Sequence, residues 1–251
     1  MRFPPLVEAR FVQRLNRFAA TVELDGREVT VHVANSGRMH ELLQPGNLCY
    51  LTEQPAAHRK TAYDLTLVAI DRIGTGSVRE PSTPYAGDRE PAASYALVSA
   101  DARLPNALVW EAWREGTLPH LGGYPSARRE VSYHDSRLDL VLESQDSKCY
   151  VEVKAVTLVQ EGIARFPDAP TERGRKHVST LVRAVKEGHR AAAVFVVQRD
   201  DAVALSPYDA NDPDFGEALR EAVSAGVEAY AFTCAVSRES ISLAGEAPVL
   251  L

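Results

Sequence analysis

The sequences Ser-Arg-Leu-Asp-Leu-Val-Leu-Glu at residues 136–143 and Cys-Tyr-Val-Glu-Val-Lys-Ala at residues 149–155 determine how the second half of this chain folds. Polar and apolar residues alternate along both stretches, which is the pattern of β-strands. If residues 144–147 form the turn of a hairpin, Asp139 falls opposite Glu152, and Lys154 shares a strand face with Glu152. The sequence therefore predicts a hairpin that brings two carboxylates and one amine together.

Asp139 and Glu152 would repel each other across such a hairpin, because opposed Cβ atoms lie roughly 5 Å apart. A cation between them would remove the repulsion, and carboxylate oxygens suit Mg²⁺ or Mn²⁺. A metal-bound water could attack a phosphodiester, with Lys154 orienting the water or neutralising charge on the phosphate. The same charges could also simply be solvated on an exposed strand face, so the spacing alone leaves both interpretations open.

Several strings make the chain resemble known proteins. Asp139 together with Glu152-Val153-Lys154 resembles the PD-(D/E)xK nuclease signature, with Ser136-Arg137 where the Pro would stand. The whole chain resembles the sugar fermentation stimulation protein A family, and its most specific string is Phe-Pro-Asp-Ala-Pro-Thr-Glu-Arg-Gly-Arg-Lys-His. That string covers residues 166–177, and further strings lie at residues 34–38, 42–46, 104–106 and 195–199.

The resemblance implies a mixed α/β protein of two domains. Residues 1–75 would form an OB-like, nucleic-acid-binding β-barrel, and residues 76–103 a linker or extended loop. Residues 104–251 would form a PD-(D/E)xK restriction-endonuclease-like αβββαβ domain. The intact Asp, Glu and Lys favour a Mg²⁺-dependent nuclease acting on DNA or RNA. The alternatives are a non-catalytic DNA-binding regulator of sugar (maltose) metabolism genes and an adaptor whose activity needs a partner.

Residue patterns predict a similar order of elements. Short strands rich in Val, Phe, Thr and Leu are expected at residues 8–15, 18–24, 28–34, 47–53 and 63–70, with a brief helix at 39–43. Residues 74–95 and 162–170 are predicted loops. A helix over 104–115 precedes the hairpin, and Thr171 is the expected N-cap of the next helix. The apolar run at 191–197 predicts a strand buried on both faces.

Other candidate site residues lie outside the hairpin. Glu111 on the first predicted helix is a candidate for a third, metal-directed catalytic carboxylate, with Glu115 and Glu130 as weaker substitutes. His177 could be a general acid, a phosphate contact or an ordinary helix histidine. Basic side chains expected to contact nucleic acid are Arg10, Arg14, Arg38, Arg137, Arg173, Arg175 and Lys176.

The net charge of −6 argues against a protein that coats nucleic acid through bulk electrostatics. Residues 172–190, however, hold six Lys or Arg against two acidic residues, so a local phosphate-facing patch can exist. Three widely spaced cysteines argue against a disulfide framework or a zinc site. The N-terminus lacks the apolar core of a signal peptide, so we expect a cytoplasmic protein without a membrane partner. Homodimerisation is left open.

Overall fold

The computed structural model describes residues 1–55, 59–71 and 95–251. In the first part of the chain, six strands form one sheet in the order β3-β2-β1-β4-β5-β6. They are β1 (Leu6–Asn16), β2 (Ala19–Leu24), β3 (Arg27–His32), β4 (Leu48–Glu53), β5 (Tyr63–Asp71) and β6 (Tyr95–Ser99). β3 also pairs with β5 through His32 and Asp64. Among the described residues this single pair joins β3 to β5, so the six strands form a sheet rather than the predicted barrel.

Two local predictions for this domain are wrong. Residues 39–43 form a hydrogen-bonded turn rather than a helix, since the Leu43 amide donates to the Met39 carbonyl at 2.9 Å and Pro45-Gly46 follows at once. The end of the predicted 76–103 linker is a strand, because Tyr95–Ser99 pairs antiparallel with β5 and extends the sheet. The rest of the predicted loop up to residue 94 lies outside the described residues.

The second domain contains the predicted αβββαβ order. Its helices are α1 (Leu104–Arg114), α2 (Glu172–Lys186) and α3 (Pro213–Ser224), with a short 3-10 helix at Pro119–Leu121. Its strands are β7 (Ser126–Tyr133), β8 (Ser136–Glu143), β9 (Lys148–Val156), β10 (Val159–Gln160), β11 (Ile163–Phe166), β12 (Arg190–Val197), β13 (Ala204–Pro207), β14 (Glu228–Val236) and β15 (Ile241–Ala247). β11 occupies part of the predicted 162–170 loop, where it pairs parallel with β13. The main sheet has the order β15-β14-β12-β9-β8-β7.

Apolar side chains cover both faces of the main sheet. Along β12, Ala192, Val194 and Val196 pack on the side of α1, whereas the alternate residues pack on the side of α2 and α3. This strand is therefore buried on both faces, as the apolar run at 191–197 predicted. Each fully buried Val or Phe contributes about 1.5 to 3 kcal/mol by leaving water, so the sheet is a rigid platform for the side chains at its ends.

Polar contacts join the two domains. The Ser99 amide of β6 donates to the Gln198 carbonyl at 3.0 Å, and the Gln198 side-chain amide donates to the Ser99 hydroxyl at 2.8 Å. Arg103, just before α1, reaches buried Asp64 of β5 at 3.1 Å. Since Gln198 directly follows β12, these bonds fix the N-terminal sheet beside the carboxyl ends of β9 and β12.

Cys49, Cys149 and Cys234 are free and buried in the two domains. They are small core residues, as their spacing predicted. Within the described ranges, no helix is both long enough and apolar enough to cross a bilayer.

Candidate active site

The hairpin of β8 and β9 has the predicted register. Glu143 pairs with Lys148 and Leu140 with Val151, and the Ser144 amide closes the turn by donating to the Ser147 carbonyl at 2.9 Å. Backbone pairing ends at Leu140, and there the Asp139 carboxylate accepts a hydrogen bond from the Val153 amide at 2.7 Å. Asp139 thus lies next to Glu152 where the two strands separate.

The apolar alternation of β8 is broken at the same point. Leu140 and Leu142 pack on the α1 side of the sheet, but Leu138 packs with Val141 on the α2 side. Strict alternation along residues 136–143 would place Leu138 on the same face as Leu140, so the predicted alternation fails at Leu138. The break follows from Asp139, because its side chain rather than its backbone bonds to β9.

Asp139 is held from two elements. Besides the Val153 amide, the Asn106 side chain on the first turn of α1 donates to Asp139 Oδ1 at 2.6 Å. Burial raises the pKa of Asp139, and the negative charge of Glu152 raises it further. The ionised form of this fixed carboxylate is therefore destabilised, and a neighbouring cation would stabilise it.

Glu152 is 3% exposed and has one free oxygen. Its Oε1 accepts hydrogen bonds from Lys154 Nζ at 2.7 Å and from the Nδ1 of His177 on α2. Its Oε2 is buried without a hydrogen-bond partner among the described residues. Burial alone would raise the pKa of Glu152, but the bonds from His177 and Lys154 lower it below its ordinary value. Glu152 is therefore a buried, ionised carboxylate with hydrogen bonds to one of its two oxygens.

The structure places His177 behind Glu152, not on the open face of α2. The histidine is 6% exposed, and the α2 face that carries it also carries buried Val178 and Leu181. Lys154 approaches the same Glu152 oxygen from its own strand. Glu152 is thus fixed by two positively polarised groups while its second oxygen is left for another ligand.

Glu111 is not brought into this group. It accepts a hydrogen bond from the Met1 amino group at 3.2 Å, and α1 presents Asn106 to Asp139 instead. Glu111 lies five positions after Asn106, so its side chain leaves the helix about 140° away from that of Asn106. In the part of the chain that the structure describes, no three His, Cys, Asp or Glu side chains are grouped to hold a metal. The predicted three-carboxylate set is therefore not assembled among the described residues.

Glu130 and Glu115 do not replace Glu111. Glu130 is exposed on the edge strand β7 and pairs with Arg137, and Glu115 is exposed at the C-terminus of α1. The second domain therefore offers Asp139 and Glu152 as its paired carboxylates at this end of the sheet.

Basic residues of the first domain have different roles. Arg14 is half-buried and donates to several backbone carbonyls, at 2.6 Å to Gly37 and 2.9 Å to Asn35 among them. Its guanidinium organises the 35–38 loop, which leaves few donors for phosphate. Arg38 on that loop is exposed, and Arg10 makes one exposed bond to the Gly46 carbonyl at 3.2 Å.

On the second domain, some residues of the predicted basic patch form ion pairs with neighbouring carboxylates. Arg175 is bound to buried Asp212 at 3.0 Å, and Lys176 pairs with Asp135 at 3.1 Å while remaining half-exposed. Arg173 is exposed on the first turn of α2. Arg137 is exposed and pairs with Glu130 across the β7–β8 edge.

The structure adds two residues that chemistry-based reading of the sequence missed. One is Asn106, and the other is Asp168, whose Oδ2 accepts a hydrogen bond from the Met39 amide at 3.0 Å. A Cβ added at Gly37 would lie 2.7 Å from the same oxygen. Both residues fall within family-like strings, at 104–106 and 166–177, and this was the one sequence signal that pointed to them.

Comparison with known proteins agrees with this two-domain description. The family description "SfsA N-terminal OB domain" matches residues 12–76, and "Sugar fermentation stimulation protein RE domain" matches residues 103–240. A sugar fermentation stimulation protein homolog of Desulforamulus reducens is 43% identical over 99% of this chain and 94% of its own length. A homolog of Pelobacter propionicus is 44% identical over the full length of both chains.

A solved structure is similar over the whole chain. It is that of Pyrococcus furiosus SfsA in complex with Ca²⁺, which is 28% identical and covers 100% of this chain and 98% of its own, with a TM-score of 0.82. The fold is therefore mixed α/β, with an N-terminal OB domain and a sheet-rich C-terminal domain, as expected. The chain belongs to the sugar fermentation stimulation protein A family.

Proposed function

We propose that this protein is a metal-dependent nuclease that hydrolyses phosphodiester bonds in DNA or RNA. The observation that carries the proposal is the buried Oε2 of Glu152, which lacks a partner among the described residues and lies beside a second carboxylate, Asp139. A buried carboxylate oxygen without a partner, next to a second carboxylate, costs folding free energy. A divalent cation would bind both carboxylates and remove that cost.

The donor set fits a hard cation. Mg²⁺ and Mn²⁺ bind through one or two carboxylates and take their other ligands from water and substrate phosphates. Among residues 1–55, 59–71 and 95–251 no thiolate or third acid is grouped with Asp139 and Glu152, and such a pair matches that preference better than a closed structural zinc site. The similar Pyrococcus furiosus protein is described in complex with Ca²⁺, another cation that prefers oxygen ligands, which supports the same choice.

Each neighbouring residue has a distinct role in the proposal. When bound, the metal would lower the pKa of a water molecule and polarise the phosphate. Asn106 and the Val153 amide hold the Asp139 carboxylate in place, and His177 does the same for Glu152. Lys154, at 2.7 Å from Glu152, can place its positive charge against the phosphate as negative charge develops there.

Nucleic acid is the proposed substrate because of the surroundings of the site. The OB domain is joined to the sheet end that carries Asp139 and Glu152, and the exposed cations Arg38, Arg173 and Lys176 flank the two domains. Such side chains can follow a phosphate backbone. Binding would be local, since the chain as a whole is acidic.

Cleavage of labelled oligonucleotides tests the proposal. Single-stranded DNA, duplex DNA and RNA are incubated with Mg²⁺, Mn²⁺ or EDTA and with wild type, Asp139→Asn, Lys154→Met or Asp209→Asn. Asp209 is the matched control, since its exposed carboxylate pairs with the exposed Arg220 of α3. We expect metal-dependent cleavage that falls about 100-fold or more in the first two variants and is unchanged in the control.

Two results would contradict this function. Binding without cleavage of every substrate would make the protein a non-catalytic binder, such as a DNA-binding regulator. Cleavage that persists in folded Asp139→Asn and Lys154→Met proteins would place the active site elsewhere.

A further inference from the structure

Helix α1 carries two partly exposed tryptophans that the nuclease proposal does not use. Trp110 and Trp113 are the two tryptophans of the chain, and their ring centroids lie 5.3 Å apart. Both are partly buried and pack against the core cluster that contains Leu108 and Val109, the two fully buried residues just before Trp110. Part of each tryptophan side chain therefore belongs to the core, and part remains exposed.

Arg129 covers part of this surface. Its guanidinium carbon lies 5.9 Å from the centroid of the Trp110 ring, which is the geometry of a cation–π contact. Its neighbours on the same sheet edge are held by carboxylates, Arg128 by Glu143 and Arg137 by Glu130. Within the described residues, no carboxylate forms an ion pair with Arg129, so its charge is available to a ligand.

Two separate sets of contacts, one through α1 and one through the β7–β8 pairing, place Trp110 and Arg129 near Asp139. Along α1, Trp110 follows Asn106 by one turn, which is about 6 Å of helix rise, and Asn106 donates to Asp139. Across the sheet, Arg129 pairs with Leu140, the residue after Asp139. Trp110 and Arg129 therefore lie on the α1 side of the sheet near Asp139, whereas Glu152 is contacted by His177 from the α2 side.

A groove continues from Trp110 along the helix. It encloses about 370 Å³ and is lined by Met1, Ala107, Trp110, Glu111, Arg114 and Glu115. The groove is open to solvent and its lining charges balance, since the Met1 amino group pairs with Glu111 and Arg114 stands against Glu115. The positive charge beside Trp110 comes from Arg129, which lies outside the groove, and a ring with an adjacent guanidinium suits a base and its phosphate.

We propose that Trp110 and Arg129 form a subsite that stacks one unpaired base of the substrate strand next to the catalytic carboxylates. Stacking on an aromatic ring or on a guanidinium plane needs a free base face, which a base inside a duplex does not offer. The substrate would therefore be single-stranded or unpaired at this position. This inference rests on the proposed nuclease function and names its substrate class.

Tryptophan fluorescence tests the subsite directly. Because the chain has two tryptophans, Trp113→Phe leaves Trp110 as the sole emitter, and Trp110→Phe leaves Trp113. Both are made in the Asp139→Asn background and titrated with oligothymidylate, oligouridylate and a DNA duplex of equal length. We expect single strands to quench Trp110 strongly and Trp113 little, and the duplex to quench neither.

Affinity measurements on the same Asp139→Asn background complete the test. Trp110→Leu, which keeps apolar volume but removes the ring, should weaken single-strand binding about tenfold. Arg129→Gln should weaken it by a smaller factor, and Arg128→Gln, which changes the neighbouring arginine, should leave it unchanged. If Trp110→Leu fails to fold, the exposed Arg129→Gln substitution and the quenching data decide.

The outcomes separate this subsite from the proposed function. Unquenched Trp110 together with unchanged affinity in Arg129→Gln would overturn the subsite even if wild type cleaves nucleic acid. Equal quenching by duplex and single strand would overturn the unpaired-base assignment. Quenching as expected, in a wild-type protein that cuts nothing, would support the subsite and refute the nuclease.

Discussion

Replacing Arg14 by Lys separates a structural role from a phosphate-binding one. The sequence predicts Arg14 as a nucleic-acid contact, but its guanidinium donates to the carbonyls of five residues: Asn16, Arg17, Asn35, Gly37 and Arg38. Burial lowers the pKa of Arg14 from its ordinary value, although the side chain stays charged at neutral pH. Lys keeps the positive charge and loses the planar fork of donors.

The expected cost follows from the bonds that are shielded from solvent. Those to Gly37 and Asn35 are partly buried, whereas the other three are exposed. A bond from a charged donor contributes roughly 1.5 to 3 kcal/mol, and partial exposure puts these two at the lower end. Because an ammonium can keep one of them, we expect Arg14→Lys to lower the free energy of unfolding by about 1.5 kcal/mol.

Urea denaturation and amide hydrogen exchange measure the two effects. Arg14→Lys should unfold at lower urea concentration, and the amides of residues 37–39 should exchange faster. Arg10→Lys is the control, since Arg10 makes a single exposed bond and should change stability by less than about 0.5 kcal/mol. Unchanged stability and exchange in Arg14→Lys, together with weaker nucleic-acid binding, would refute the structural role.

Three further predictions concern stability and reactivity. Thr171→Ala should cost about 1 kcal/mol in urea denaturation, because the Thr171 hydroxyl accepts a hydrogen bond from the Gly174 amide at the start of α2; unchanged stability would mean that this cap is not formed. Gly37→Ala should cost about 1 to 3 kcal/mol, since its Cβ would lie 2.7 Å from Asp168 Oδ2; a variant as stable as wild type would contradict the close packing of the 35–38 loop. Burial raises the pKa of all three cysteine thiols to about 12, so at pH 8 the folded protein should resist a thiol reagent that modifies all three after unfolding. Rapid modification of a native thiol at pH 8 would show that the thiol is accessible.

Local sequence patterns predicted the parts of the fold that depend on neighbouring residues. The register of the β8–β9 hairpin follows from period-two alternation and a four-residue turn, and the structure has Glu143 opposite Lys148 as expected. Thr171 caps α2 because a hydroxyl three residues before a free amide is a local relation. β12 was recognisable because a strand covered on both faces needs a continuous apolar run.

Contacts between distant segments could not be read in this way. Whether α1 offers Asn106 or Glu111 to Asp139 depends on how the helix rotates when it packs on the sheet, and its own pattern does not fix that rotation. The structural role of Arg14 cannot be predicted from neighbouring residues, because its carbonyl partners lie up to 24 residues away. Strand β6 was missed because it follows a long loop and finds its partner only in β5.

Titration with a divalent cation tests whether Asp139 and Glu152 form a metal site. Mn²⁺ is titrated calorimetrically into wild type, Asp139→Asn, Glu152→Gln, Lys154→Met and the control Asp209→Asn, without nucleic acid. Binding should be lost or strongly weakened in Asp139→Asn and Glu152→Gln and retained in Lys154→Met and the control. Binding that is unaffected by both carboxylate substitutions, or no binding to wild type at millimolar Mn²⁺, would contradict the proposed metal site.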